Sequence, residues 1–317
     1  MLTGDSAVIW NLAGEVRLEP GRGSDVVVLV TRGGEDGAQL AVNASGDRLT
    51  VRYPANDIVY RNGHRGSAAT LRVRDDGTFG GGWDNGGRRV RVRTDGGGLE
   101  AHADLLIQVP AGESVALHLA VGEVTAENVD GNLRLDVHAA SISTSGTKGR
   151  LWLDAGSGSV NVTGGQGELD VDTGSGSTSV SGYTGGRISV DAGSGTVTVR
   201  DVTASRLSVD VGSGSVRADA LATDDLMIDT GSGGVELSLT RVPRNTDIDT
   251  GSGSVRLELP EGINADVHIE TGSGGISSDF PVTMDRIERR ELRGRIGTGG
   301  AMIRVSTGSG GVRLLKR

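Results

Sequence analysis

Asp191-Ala-Gly-Ser-Gly-Thr-Val197, Asp210-Val-Gly-Ser-Gly-Ser-Val216 and Asp229-Thr-Gly-Ser-Gly-Gly-Val235 are three copies of one unit, set 19 residues apart. Further copies read Asp154-Ala-Gly-Ser-Gly-Ser-Val160, Asp172-Thr-Gly-Ser-Gly-Ser-Thr178, Asp249-Thr-Gly-Ser-Gly-Ser-Val255 and Glu270-Thr-Gly-Ser-Gly-Gly-Ile276. From Asp154 to Glu270 the acidic positions lie 18, 19, 19, 19, 20 and 21 residues apart. A later copy stands at Ser306-Thr-Gly-Ser-Gly-Gly-Val312, and weaker coils at Val121-Gly-Glu-Val124 and Asp136-Val137 precede the first. Self-similarity at a fixed period in this range marks a stack of coils, each touching its neighbours.

Apolar residues alternate before and after each glycine turn, as in Leu151 and Leu153, then Val160 and Val162. That period of two predicts two short strands per coil, joined by the Gly-Ser-Gly corner and by a second turn such as Gly164-Gly165-Gln166-Gly167. A coil of this length can go out, return and climb one strand spacing of about 4.8 Å, giving two flattened parallel sheets face to face. Helix is disfavoured, since each Gly costs about 1 kcal/mol in a helix and no 3.6-residue period persists. The fold class is therefore all-β, a parallel β-helix-like solenoid with coils of about 19 residues and a β-rich N-terminal cap.

Gly156, Gly158 and their equivalents are expected to supply positive φ at the corner, and the Asp two residues ahead to accept an N–H in an Asx-type turn. Stacking would bring Asp154, Asp172, Asp191, Asp210, Asp229 and Asp249 to one strand spacing, where like charges repel by about 1 kcal/mol in water. Either local hydrogen bonds and solvent offset that repulsion, or a ladder of bound cations does.

Composition narrows the function classes. The 317 residues include 54 Gly and six Pro but no Cys, and a net charge of −9. Glycine without a Gly-X-Y period excludes collagen, the missing cysteine excludes a disulfide scaffold, and the acidic balance argues against nucleic-acid binding. No apolar run approaches the roughly 18 residues of a membrane-spanning helix. The start, Met1-Leu2-Thr3-Gly4-Asp5, has neither a basic nor an apolar leader segment, so no secretion signal is expected within this chain.

Several stretches imitate chemistry. Asp-Thr-Gly-Ser at 229–232 and 249–252 matches the local signature of aspartic proteases, but those enzymes bring two carboxylates to one shared proton, whereas here the motif recurs at the coil period. The calcium-binding nonapeptide is not met, because the period is near nineteen. His64, His102, His118, His138 and His268 form no HxH or HxxxH pair, so neither metal ligands nor a cofactor site is expected. No Gly-x-Ser-x-Gly follows a strand and opens a helix as in a hydrolase elbow, because Gly-Ser-Gly-Ser here opens another strand. Sugar-cleaving β-helices need aromatic platforms and paired carboxylates, and beyond Val115 the aromatics are Trp152, Tyr183 and Phe280.

Two regions fall outside the period. Residues 1–110 hold strand-like runs at Glu15–Glu19, Asp25–Thr31, Arg48–Tyr53 and Arg88–Thr94, and are read as the cap of a solenoid spanning 111–317. Tyr53, Tyr60, Phe79 and Trp83 flank a Gly-rich loop from Gly77 to Gly87. Tyr60, Phe79 and Trp83, with Arg89, Arg91 and Arg93 on one strand face, are the candidate contact surface, although packing under the loop and a solvated arginine edge are the expected roles. The charge-dense 285–295 is an excursion from the stack, after which Met302–Val305 rejoins it and Val312–Arg317 ends the chain on a basic strand that blunts the last edge.

The repeated unit, the opening Asn11-Leu-Ala-Gly-Glu-Val-Arg-Leu-Glu-Pro-Gly21, and the closing Phe280-Pro-Val with Arg293-Gly-Arg-Ile-Gly-Thr-Gly-Gly300 together resemble the bacterial putative-adhesin family of β-strand-repeat proteins, a domain of unknown function. The resemblance covers nearly the whole chain and implies export to the cell surface or periplasm. It carries over no catalytic residues. The expected function is a non-enzymatic structural or adhesin-like binding protein of the cell envelope, with a protein or glycan as ligand. The alternatives are a carbohydrate-active lyase or hydrolase and a scaffold polymerising through its ends.

Overall fold

The computed structural model describes residues 1–2, 6–64, 66–80, 86–288 and 290–317, with the side chains of 285–288 outside the description. The solenoid is borne out: long parallel strands pair in register at the coil period, and no α-helix occurs among the described residues. The chain divides into two compact units, Met1–Asn161 and Val162–Arg317.

In the first unit, the strands Ser6–Pro20, Ser114–Glu127, Asn132–Lys148 and Leu151–Ser157 run parallel. Inward residues align as Ile9, Leu117, Leu135 and Leu153, all fully buried. Residues 6–20 thus form a coil of the stack although they lie within the stretch read as aperiodic. Their corner is Gly14-Glu15, aligned with Gly122-Glu123, rather than Gly-Ser-Gly. On the other side of this coil, Arg48–Arg52 and His102–Val109 pair with it in parallel. Ala41–Ser45 and Val27–Gly33 then join those two strands antiparallel. A switch of direction ends the ladder of coils, as a solenoid end requires. A small sheet of Ala68–Val73, Arg88–Arg93, Asp57–Val59 and Leu99–Glu100 completes the unit.

In the second unit, one ladder aligns Val190, Val209, Ile228, Ile248, Val305 and Ile269. The next aligns Val197, Val216, Val235, Val255, Val312 and Ile276. A third, short ladder through Thr184, Thr203 and Ala222 closes the coil, where two strands per coil were expected. The core between the ladders is built from Val, Leu, Ile, Ala and inward Thr, so stability accumulates coil by coil.

The last coils do not stack in chain order. Ala301–Ser309 lies between Asn245–Ser252 and Ala265–Thr271, and Val312–Lys316 lies between Val255–Leu259 and Ile276–Ser278. The basic C-terminal strand therefore has a neighbour on each side and does not blunt an edge, contrary to the sequence expectation. The excursion is the cause: Val282–Glu288 and Glu291–Ile296 form a hairpin, and Glu291–Ile296 pairs antiparallel with Ala265–Thr271. The hairpin takes the outer edge of that coil, which leaves the final coil the place on its inner side.

The corner glycines serve two separate needs. Gly214 has φ of 149°, and a Cβ there would stand 1.8 Å from the carbonyl oxygen of Gly195 in the coil below. Gly212 lacks the positive φ expected of it; its Cβ would stand 2.7 Å from the carbonyl oxygen of Gly193, so close approach alone demands glycine. The inward Thr between Asp and Gly also has a use. Thr250 and Thr271 donate their hydroxyls to the carbonyls of Gly253 and Gly274 at 3.2 and 2.9 Å, satisfying polar groups inside the corner.

Candidate functional site

An extended strand sends alternate side chains to opposite faces, so each inward Val or Thr leaves a neighbour on the outer surface. In the second unit this rule and the coil register put Asp172, Asp191, Asp210, Asp229 and Asp249 in one outward column. All five are exposed. The column continues to Ser306 and Glu270. A second column, Ser175, Ser194, Ser213, Ser232, Ser252 and Ser309, runs beside it at the corner.

None of these five carboxylates accepts the N–H of the glycine two residues on, so the expected Asx-type turn is absent at these five positions. The physical reason is the extended backbone at this position, which stands the side chain away from the sheet. The carboxylates consequently feel one another. Partial desolvation pushes the Asp191, Asp210 and Asp249 carboxyls above the ordinary carboxylate value; Asp172 and Asp170 add to this at Asp191, Asp191 and Asp229 at Asp210, and Asp229 and Asp247 at Asp249.

Asp154, the sixth member of the expected ladder, lies in the first unit. There it aligns with Asp136, His118 and Trp10. The indole of Trp10 stacks on the His118 ring at 5.3 Å with 9° between planes, and Trp10 Nε1 donates to the Phe79 carbonyl at 3.1 Å. Phe79 meets His118 edge-on at 6.4 Å and leans on His138 at 6.0 Å. His118 Nδ1 donates to Asp136 Oδ2 at 3.1 Å. Burial pushes the Asp136 carboxyl up, but the hydrogen bond and charge of His118, with His138 and Arg134, together outweigh it and hold the group below the ordinary value. Beside this column the Arg134 guanidinium lies 3.8 Å from the centre of the Trp152 ring.

The remaining residues of the candidate contact surface scatter. Tyr60 and Phe79 are 1% and 2% exposed; Tyr60 packs on the His102 ring at 5.0 Å, and burial raises its phenol pKa. Both are therefore buried and offer no outward face. Trp83 lies outside the described residues. Arg89 and Arg91 are exposed, whereas Arg93 is half-buried and donates to the Gly97 carbonyl at 2.7 Å. Arg89 faces Arg72 across the antiparallel pair, and Arg91 sits between Thr70 and Asp57.

Two groupings escaped the sequence reading. The stack of Trp10 on His118 joins residues far apart in the chain. His268, Glu270 and Glu291 are gathered by the hairpin, with ligand atoms all within 4.8 Å of one another. No His-to-His spacing signals such a set, because one carboxylate arrives from a neighbouring strand.

No helix among the described residues is long and apolar enough to cross a membrane. No curated protein matches the chain. Among solved structures, a "putative cell adhesion protein from Clostridium sporogenes" is similar over 99% of this chain and 94% of that one, at 7% identity and a TM-score of 0.24. At that score the likeness carries no argument about function. The Toastrack DUF4097 family model matches residues 14–315, in agreement with the resemblance carried by the repeat, and the chain belongs to that family.

Proposed function

We propose that this chain is a non-enzymatic, adhesin-like binding protein of the bacterial cell surface or periplasm, presenting an extended β-solenoid face to a glycan or protein ligand. The observation that carries this reading is the outward register of the second unit, where acceptor carboxylates and serine hydroxyls recur once per coil in two neighbouring columns. A surface of repeated, weak, identical subsites suits a repeating ligand, because linked contacts multiply affinity without any one of them being strong. Polar faces of Asp and Ser match the hydroxyls and amides of a polysaccharide or an extended peptide.

A glycan array read beside a reducing-sugar assay tests the proposal. Binding to a polymeric glycan that weakens steeply as the glycan shortens, with no new reducing ends, is the expected result. Release of sugar product would overturn it in favour of a carbohydrate-active enzyme. Fractionation of cells making the native protein tests its place, and recovery solely in the cytosol would refute the envelope assignment.

A further inference from the structure

We propose that His268, Glu270 and Glu291 form a divalent transition-metal site that fastens the antiparallel hairpin to the coil strand beneath it. His268 and Glu270 stand two residues apart on Ala265–Thr271, so both project to the same outer face. Glu291 begins the strand Glu291–Ile296 and lies directly opposite Glu270 in the antiparallel register. Two carboxylates facing each other across a strand pair repel, a destabilising arrangement unless something positive lies between them.

The imidazole points into that gap. His268 Nε2 is 2.9 Å from Glu270 Oε1 and 3.6 Å from Glu291 Oε1. The nitrogen is sealed from solvent yet has no hydrogen bond, because the near carboxylate oxygen lies off the hydrogen-bonding direction. An atom aimed between two carboxylates, and bonded to neither, is placed to share a third partner with them. Ligands at about 2.1 Å from a zinc-like ion stand roughly 3.4 Å apart in tetrahedral geometry, and the two observed separations bracket that value.

The flanking charges agree with this orientation. Arg293 and Arg304 occupy the register positions on either side of His268. Neither is ion-paired with Glu270, whose Oε1 turns toward the imidazole at 2.9 Å. A groove of about 410 Å³ bounded by Asp266, His268, Arg293 and Arg304 opens beside the ring. One imidazole and two carboxylates suit Zn²⁺, Mn²⁺ or Fe²⁺ better than Ca²⁺ or Mg²⁺, which prefer an all-oxygen set. The two nearby guanidinium groups oppose a cation, so affinity in the micromolar rather than the nanomolar range is expected.

Calorimetric titration of the full chain with Zn²⁺ near pH 7, and with Co²⁺ followed by visible absorption, tests the site. One equivalent should bind, with a ligand-field band for Co²⁺ and a higher Tm. Affinity should fall at least tenfold in H268A, E270Q and E291Q, and stay unchanged in H118A. The exposed E270Q keeps the test informative should H268A fold poorly, its circular dichroism serving as the control. Absence of binding, binding unaffected by H268A and E270Q, or equal binding of Ca²⁺ would each overturn the assignment.

Discussion

At the outward position that carries the repeated acid, the first unit holds Trp10, His118, Asp136 and Asp154 in register, while the second holds Asp172, Asp191, Asp210, Asp229 and Asp249. The backbone geometry is the same and the chemistry is opposite. In the mixed column Trp10, His118 and Asp136 each find a complement one strand away, ring on ring and imidazole on carboxylate, so the Asp136 carboxyl is held down. In the uniform column each group meets a copy of itself, and the carboxyls of Asp191, Asp210 and Asp249 are pushed up. A strict repeat thus lines up like charges, whereas divergence of a coil lets neighbours complement one another. That contrast separates a face whose neighbours partly complement one another from one whose neighbours carry like charge.

The strongest way to break the mixed column is to remove its ring. Trp10 is 9% exposed, with its indole N–H on the Phe79 carbonyl. Trp10→Ala is expected to cost about 4 kcal/mol. Denaturant unfolding would measure the loss, and hydrogen exchange should find it first at the amides of 114–127, the strand paired with Trp10. The corresponding break in the uniform column lies at its corner, since the register of the carboxylates depends on glycine fitting beneath the next coil. Gly214→Ala combines strain with a 1.8 Å clash against the Gly195 carbonyl and should cost about 3 kcal/mol. Gly23→Ala meets nothing within 4 Å, and its positive φ alone should cost about 1 kcal/mol.

A subtler change tests the hydrogen bond itself. His118→Ala should leave Asp136 without its imidazole partner, raise the Asp136 carboxyl pKa in an NMR titration, and destabilise the fold by about 1–2 kcal/mol. The sign with pH follows from the direction of the shift. A carboxyl held below its unfolded value contributes stability that is fully present above that value and is lost as the pH falls through the folded one. In H118A this acid-labile portion should shrink or vanish. An unmoved Asp136 titration would show that burial and the other charges govern it.

How much of this was legible in the sequence depended on whether the repeat stayed regular. The recurring Asp-x-Gly-Ser-Gly unit predicted the coil, its inward Val and Thr, and the alignment of Asp172 through Asp249, because a constant period fixes the register of every side chain. Gly14-Glu15-Val16 and Gly122-Glu123-Val124 carried the signal that residues 6–20 are also a coil. A long insertion between them, holding the antiparallel strands and the small sheet, hid it, and with it the meeting of Trp10 and His118. The out-of-order final coil was not legible at all: Ser306 to Val312 reads as one more copy, and only the edge occupied by the hairpin decides where it stacks. Tyr60 and Phe79 are buried, in the packing role expected of them rather than the contact role they also offered; aromatics beside a Gly-rich loop look alike in sequence whether they face out or pack inward.

The smallest effect is also the most direct test of the uniform column. Asp229 neighbours both Asp210 and Asp249 and raises both carboxyls. In Asp229→Asn, the two should titrate closer to their ordinary value of 3.8, while Asp191, influenced chiefly by burial and by Asp172 and Asp170, should hold its position. For carboxyls raised in the folded state, the cost to stability is fully present above the folded pKa and is relieved as the pH falls through it. The variant should therefore be slightly more stable than the parent near pH 7, with the difference shrinking below about pH 4. Exposure and solvent screening keep the gain small, so paired NMR titrations resolve it better than unfolding curves. A chelator or added Ca²⁺ separates the two ways of offsetting the repulsion. If the carboxyls of the parent titrate identically with and without Ca²⁺, solvent alone screens the column. If Ca²⁺ lowers their pKa values in the parent and does so less in D229N, bound cations share that work.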